Sequence, residues 1–267
     1  MKLFPLDKYL LSGTEYKTDS RQLLVIEKVG TDSSEKGTLS VDQVPCLEII
    51  NAIAPLRKNN SVIIGPLNLG EYYIVVPPET KFKFTGASGS YMRIIGKVVQ
   101  LDPHETIPTQ YMARYKEQGK KYITYVTGSY EHGTDTAWAA DDENTVLTLK
   151  PSTIERYVFD SLLLLTKSGG TFTPRQFALL MYIDNVPIEY IYSDTLREGI
   201  DVYSIPDYDD VSENEKPFSL KDFPIDLKGD HELKVTIKNI SGTSQTPASG
   251  SSWTFTLYMI AKYIKEG

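Results

Sequence analysis

The run Trp253-Thr254-Phe255-Thr256-Leu257-Tyr258-Met259-Ile260-Ala261-Lys262-Tyr263-Ile264 constrains the fold more than any other stretch of the chain. Its front half alternates large apolar side chains with Thr, so an extended backbone gives it one apolar face and one hydroxyl-lined face, as a half-buried strand requires. A related run, Tyr91-Met92-Arg93-Ile94-Ile95-Gly96-Lys97-Val98-Val99, shares the Tyr-Met start and a Lys among β-branched residues. Each follows a Gly/Ser loop, residues 86–90 and 249–252. The pairing points to two copies of one β unit.

Turn punctuation supports that reading. Gln22 to Lys28, Cys46 to Ile53, Val62-Ile63-Ile64, Tyr72 to Val76 and Lys81 to Thr85 are short apolar runs separated by Gly65-Pro66, Gly70 and Pro77-Pro78. Phe82 and Phe84 face inward if Lys81 and Lys83 face outward. Residues 1–22 read as an extended arm with at most a short first strand. Tyr111, Met112 and Tyr115 recur at helical spacing between Pro108 and Gly119, which predicts a short helix joining two halves. After it, strands are expected at Lys121 to Tyr130, Val146 to Leu149, Arg156 to Lys167, Phe177 to Ile183, Pro187 to Tyr192, Phe218 to Leu220 and Glu232 to Ile240. Asp184-Asn185 reads as a tight hairpin turn, since both residues tolerate positive φ.

Three matches keep their order along the chain. Leu23 to Gly30 aligns with Leu162 to Gly169, Asp42-Gln43-Val44-Pro45 with Asp184-Asn185-Val186-Pro187, and Tyr91-Met92 with Tyr258-Met259. Tandem duplication explains the order; chance alignment of two β-rich halves on Leu, Val, Gly and Lys is the competing explanation. At 267 residues the chain is long enough for two cores. The expectation is an all-β protein of two tandem antiparallel β-sandwich, jelly-roll-like domains, residues 1–104 and 121–267, joined by a helical connector at 105–120.

Composition narrows the partners. With 28 basic and 35 acidic side chains the net charge is −7, and no basic block appears, which argues against nucleic acid. No apolar run approaches a membrane span, and the start lacks the apolar core of a signal peptide. Intracellular synthesis, without export by that route, is the expectation. Cys46 is the single cysteine, expected as a small buried hydrophobe.

The sequence nominates no catalytic, cofactor or metal residue. Gly86-Ala87-Ser88-Gly89-Ser90 misses the last glycine of a nucleophile elbow, and Gly96-Lys97 lacks the rest of a phosphate loop. His104, His132 and His231 stand far apart, without ligand spacing for zinc. Asp207, Asp209, Asp210, Glu213 and Glu215 either gather around calcium or form a solvated acidic loop, and Asp141-Asp142-Glu143 reads the same way. Trp138, in the polar loop 131–144, either stacks on a sugar, packs on a neighbouring subunit or folds back on its own domain. Tyr72, Tyr73, Tyr190 and Tyr192 are strand residues first and interface candidates second.

The run Arg156 to Leu163, the hairpin at Asp184-Asn185-Val186-Pro187, Lys234 to Asn239 and the closing Thr254-Phe255-Thr256-Leu257-Tyr258 resemble the tandem β-sandwich and jelly-roll structural proteins of archaeal and bacterial virus particles. That resemblance implies a non-enzymatic capsid, vertex, turret or tail component. It would be made in the host cytoplasm, incorporated into the virion, and in contact with copies of itself and other virion proteins. The alternative is a carbohydrate-binding or adhesin-like module that takes a glycan on end loops such as 131–144 and 241–252.

Overall fold

The computed structural model describes residues 1–57, 65–188, 199–205 and 218–266. The expected strand at Val62-Ile63-Ile64, the acidic residues 207–215, Tyr190 and Tyr192 lie outside them. The described residues form two compact units, the first made of 1–57, 65–125 and Lys262–Glu266 and the second of 126–188, 199–205 and 218–261.

Unit 1 is built from β1 (Lys2–Leu11), β2 (Glu15–Lys17), β3 (Gln22–Thr31), β4 (Gly37–Val41), β5 (Val44–Ile49), β6 (Leu67–Asn68), β7 (Ile74–Val76), β8 (Lys81–Thr85), β9 (Tyr91–Gln100), α1 (Thr109–Glu117) and the start of β10 (Lys121–His132). One sheet runs β1-β9-β3, with β6 and β7 both paired to the far side of β3; the other runs β2-β8-β4-β5, with β10 parallel beside β5 at Ile123. If β6 and β7 count as one broken strand, the orders are first-eighth-third-sixth and second-seventh-fourth-fifth. This is the strand order of a jelly roll. Alternation places Leu10, Ile26, Met92 and Ile94 of one sheet, and Leu39, Val41, Phe82 and Phe84 of the other, in the interior. Gly96 sits where β9 passes the irregular stretch of β3 between Ile26 and Lys28, and a Cβ there would lie 2.0 Å from the Val25 carbonyl oxygen.

Unit 2 continues with the rest of β10, then β11 (Glu143–Leu149), β12 (Glu155–Phe159), β13 (Leu162–Ser168), β14 (Phe177–Ile183), β15 (Val186–Pro187), β16 (Ile200–Asp201), β17 (Phe218–Ser219), β18 (Ile225–Leu227), β19 (Leu233–Asn239) and β20 (Trp253–Lys265). The order recurs. One sheet runs β10-β20-β13-β17, extended by β12 against β20 and β18; the other runs β11-β19-β14, with β15 and β16 both on β14. Its core gathers Phe159, Leu163, Leu165, Phe255, Leu257 and Met259 from one sheet with Phe177, Leu179, Met181, Val235 and Ile237 from the other. The alternation of the last strand is observed: Trp253, Phe255, Leu257 and Met259 are buried and Thr254, Thr256 and Tyr258 are half-buried.

The sequence matches fall on corresponding strands and turns. Leu23 to Gly30 and Leu162 to Gly169 map to the third strand of each unit, and the Tyr-Met pairs to the eighth. Asp42-Gln43 and Asp184-Asn185 are the two-residue turns between the fourth and fifth, with positive φ at all four residues, as a type I′ hairpin needs. The pairing register differs, because Thr31 faces Met92 whereas Leu163 faces Met259.

Two expectations shift. The amino-terminal arm is a ten-residue strand, β1, paired to β9 along its whole length. It is exposed at eight of those positions, so burial never stamped a period on its sequence. The boundary between the units falls inside β10, after Tyr125, rather than in a linker at 105–120. The helix was expected as the interdomain connector; Tyr111, Tyr115, Tyr73 and Ile107 pack on Leu23, Val25, Val75, Val99 and Leu101, which ties it to the outer face of unit 1. No helix among the described residues is long and apolar enough to cross a membrane.

Candidate assembly surface

The two edges of the first sheet of unit 1 are treated differently by the chain. An open strand edge is a template for pairing with another chain unless something covers it. At β7 the cover is Gln118, buried just past α1, whose Oε1 accepts from Val75 N at 2.9 Å and whose Nε2 donates to Val75 O at 3.0 Å. Arg114 secures the same corner: its guanidinium donates to the carbonyls of Tyr73 (2.8 Å), Tyr72 (3.2 Å) and Lys121 (3.0 Å). Burial pulls the Arg114 pKa down from its usual value, and the three carbonyl oxygens take up its donors.

At the opposite edge, among the described residues, β1 carries no such cover and ends the sheet order. Leu6 and Leu10 point into the sandwich, while Leu3 (59 % exposed), Phe4 (50 %), Tyr9 (50 %) and Leu11 (36 %) stand in solvent beside the exposed Tyr91 of β9. A stripe of apolar side chains along an open edge marks an interaction surface. Its central charge is neutralised locally. Arg93 Nε donates to Asp7 Oδ1 at 2.8 Å and its terminal nitrogen to Oδ2 at 2.7 Å, which holds the Asp7 carboxyl below its usual pKa. Lys8 lies over the Tyr16 ring, 4.6 Å from its centroid.

The nominated residues separate. Trp138 is fully buried rather than displayed: it packs on Phe177 (4.8 Å) and His132 (4.8 Å), and its indole N–H donates to Asp142 O at 2.9 Å. The loop carrying it is laced to the 241–252 loop. Trp138 N donates to Gln245 O at 2.7 Å, Gln245 N returns to Trp138 O at 2.9 Å, and the buried Asn239 Nδ2 reaches the carbonyls of Trp138, Ala139 and Thr243. Of the three readings of Trp138, the fold-back on its own domain is the observed one. Tyr72 and Tyr73 are half-buried. The Tyr72 ring is met by Arg114 (5.6 Å) and Lys262 (5.4 Å), and Tyr73 packs edge-on against Tyr111. Both serve the α1 corner. Leu3, Phe4, Tyr9 and Leu11 were missed because residues 1–22 carry no burial period; Pro5, a residue that ladders accept at an edge, was the available signal.

An open cavity of about 370 Å³ lies on the outer face of the second sheet of unit 1, lined by Glu15, Ser40, Asp42, Gln43, Lys81, Phe82, Lys83 and Thr85. Lys81 is paired to Glu15 at 2.7 Å. Among the described residues no cluster of three or more His, Cys, Asp or Glu is placed to hold a metal ion.

No protein family and no curated protein matches this sequence. Solved structures align over nearly the whole chain at low similarity. A conserved protein of unknown function from Pseudomonas aeruginosa PAO1 shows 7% identity over 97% of this chain and 79% of its own, with a TM-score of 0.21. The triple jelly-roll turret protein of an archaeal virus shows 12% identity over 97% of this chain and 56% of its own, with a TM-score of 0.23. The major capsid protein P2 of bacteriophage PM2 shows 10% identity over 96% of this chain and 98% of its own, with a TM-score of 0.30. At these values none carries weight for function.

Proposed function

We propose that this chain is a non-enzymatic structural protein of a virus particle, a capsid, vertex, turret or tail component that assembles with copies of itself and with other virion proteins. The observation that carries the reading is the jelly-roll strand order built twice in one chain, with sequence matches on the third strands and on the turns between the fourth and fifth strands, as tandem duplication produces. Jelly rolls serve capsids, lectins and cupins alike, so the strand order does not fix the task by itself. What favours a structural role is that one sheet edge is capped by Gln118 while the other presents Leu3, Tyr9 and Leu11 to solvent.

The test is recovery of the native protein from particle fractions of its source, beside light scattering of the purified chain over a concentration series. Co-purification with particles and a mass that grows with concentration support the role; a strict monomer absent from every particle fraction overturns it. A second reading, a glycan-binding module, rests on the cavity beside Lys83 and Thr85. Saturable glycan binding abolished by Lys83→Ala would favour it.

A further inference from the structure

Among the described residues, the open edge of β1 presents a defined set of backbone groups with no neighbouring strand. Pro5, opposite Lys97, has no N–H, and a ladder accepts proline where that N–H would point away from the neighbouring strand. Backbone direction alternates along a strand, so the odd-numbered residues of β1 face away from β9. Two bonds agree. Ser12 N–H donates to Ser90 O on the β9 side at 2.8 Å, whereas Leu11 N–H goes to the Tyr16 hydroxyl at 2.9 Å. The N–H groups of Leu3, Asp7 and Tyr9 and the carbonyls of Leu3, Pro5, Asp7 and Tyr9 therefore line the edge.

We infer that this edge pairs with the β1 edge of a second copy, antiparallel, about a two-fold axis through Leu6. The inference rests on the self-assembly reading above and names its contact. A two-fold axis through an antiparallel pair runs perpendicular to the sheet, so only residues of like parity stand opposite one another. Four axes near the middle of β1 satisfy this, and charge separates them. An axis through Pro5 opposes Lys2 and Lys8, one through Asp7 opposes the two Asp7 carboxylates, and one through Lys8 opposes the two ammonium groups. Like charges directly opposite are unfavourable in a ladder.

The axis through Leu6 opposes none. It sets Leu3 against Tyr9 of the second copy, Pro5 against Asp7, and Phe4 against Lys8, an arrangement that gives the ammonium an aromatic face. Each free N–H finds a carbonyl: Leu3 and Tyr9 exchange both bonds, and Asp7 donates to Pro5, a residue that needs nothing in return. The same step sets the exposed side chains of Leu3 and Tyr9 from the two copies side by side, which buries part of their apolar surface.

The register is testable because it places residue 4 opposite residue 8. In a non-hydrogen-bonded antiparallel pair the Cα atoms lie about 4.5 Å apart, within disulfide reach. Residue 4 of one copy lies about 13 Å from residue 4 of the other, out of reach. The Phe4→Cys/Lys8→Cys variant is expected to form a covalent dimer under mild oxidation while each single variant stays monomeric on non-reducing gels; Cys46 is buried and does not compete. Single variants that cross-link as well as the double one, or a double one that does not cross-link, would overturn the pairing. Leu3→Glu/Tyr9→Glu, which opposes carboxylates, is expected to weaken wild-type self-association about tenfold or more; an unchanged concentration dependence counts against the inference. Protein found in particles but not cross-linked sinks this contact alone, and protein cross-linked but absent from particles sinks the virion role alone.

Discussion

Gln118 bonds the backbone of Val75 at both its N–H and its C=O, so one side chain does for the β7 edge what a neighbouring strand would do. Gln118→Ala leaves two buried backbone groups unpaired and is expected to destabilise the chain by about 2–4 kcal/mol, from about 1–3 per group with partial rehydration. Gln118→Glu keeps the acceptor, and when its carboxyl is protonated an O–H replaces the amide donor to the Val75 carbonyl in poorer geometry; ionised, it has no donor. Chemical denaturation midpoints should rank wild type, then Glu, then Ala, if the glutamate is protonated at the pH used.

Cys46 is buried, and burial pushes its thiol pKa to about 12. The unfolded chain releases that proton near pH 9, while the native chain keeps it until about 12. The stability linked to this thiol is therefore complete below 9 and declines as pH rises toward 12. Alkylation by iodoacetamide at pH 8 should be slow in the native protein and rapid in denaturant; fast native alkylation would contradict the burial.

Tyr115 donates to Asp42 at 2.8 Å and Tyr182 to Glu143 at 3.0 Å, and burial followed by these carboxylates raises both phenols to about 12. Their contribution is present below pH 10 and lost as pH rises through 12. Tyr115→Phe and Tyr182→Phe should each cost about 1–2 kcal/mol near neutrality and flatten the alkaline decline, read from melts across pH 8–11.

Gln43 occupies the left-handed region at φ 66°, where a Cβ is penalised. Gln43→Gly is expected to stabilise unit 1 by about 1 kcal/mol, since Asp-Gly suits a type I′ turn. Asn185→Gly at the equivalent turn gains less, because Asn tolerates that conformation. Equal gains at both sites would refute the turn argument.

Trp138→Ala removes a fully buried ring and its bond to Asp142, and should cost about 3–5 kcal/mol. Lost glycan binding in a variant that melts at the wild-type temperature would contradict its role in the core.

The strands whose one face is buried were legible from the residues, β8 and β20 above all, because burial writes a period of two into the sequence. The hairpins at Asp42 and Asp184 were equally plain, since few residue pairs accept two successive positive φ values. β1 was not legible. It is held by backbone pairing to β9, which any sequence supplies, and its side chains stay in solvent. Trp138 misled for the converse reason: polar neighbours such as Asp135, Asp141 and Asp142 mark the surface path of its loop, while the bonds from Asn239 that turn the indole inward come from residues 100 positions away.

The aromatic nest around His132 has a spectroscopic consequence. The chain's two tryptophans, Trp138 and Trp253, both lie in unit 2 and both stack on that imidazole, whereas unit 1 contains only tyrosine and phenylalanine. Indole emission is thus an optical readout of the second jelly roll alone, and circular dichroism reads both. Overlaying the two signals during denaturation reveals whether the two halves melt together, with no label added.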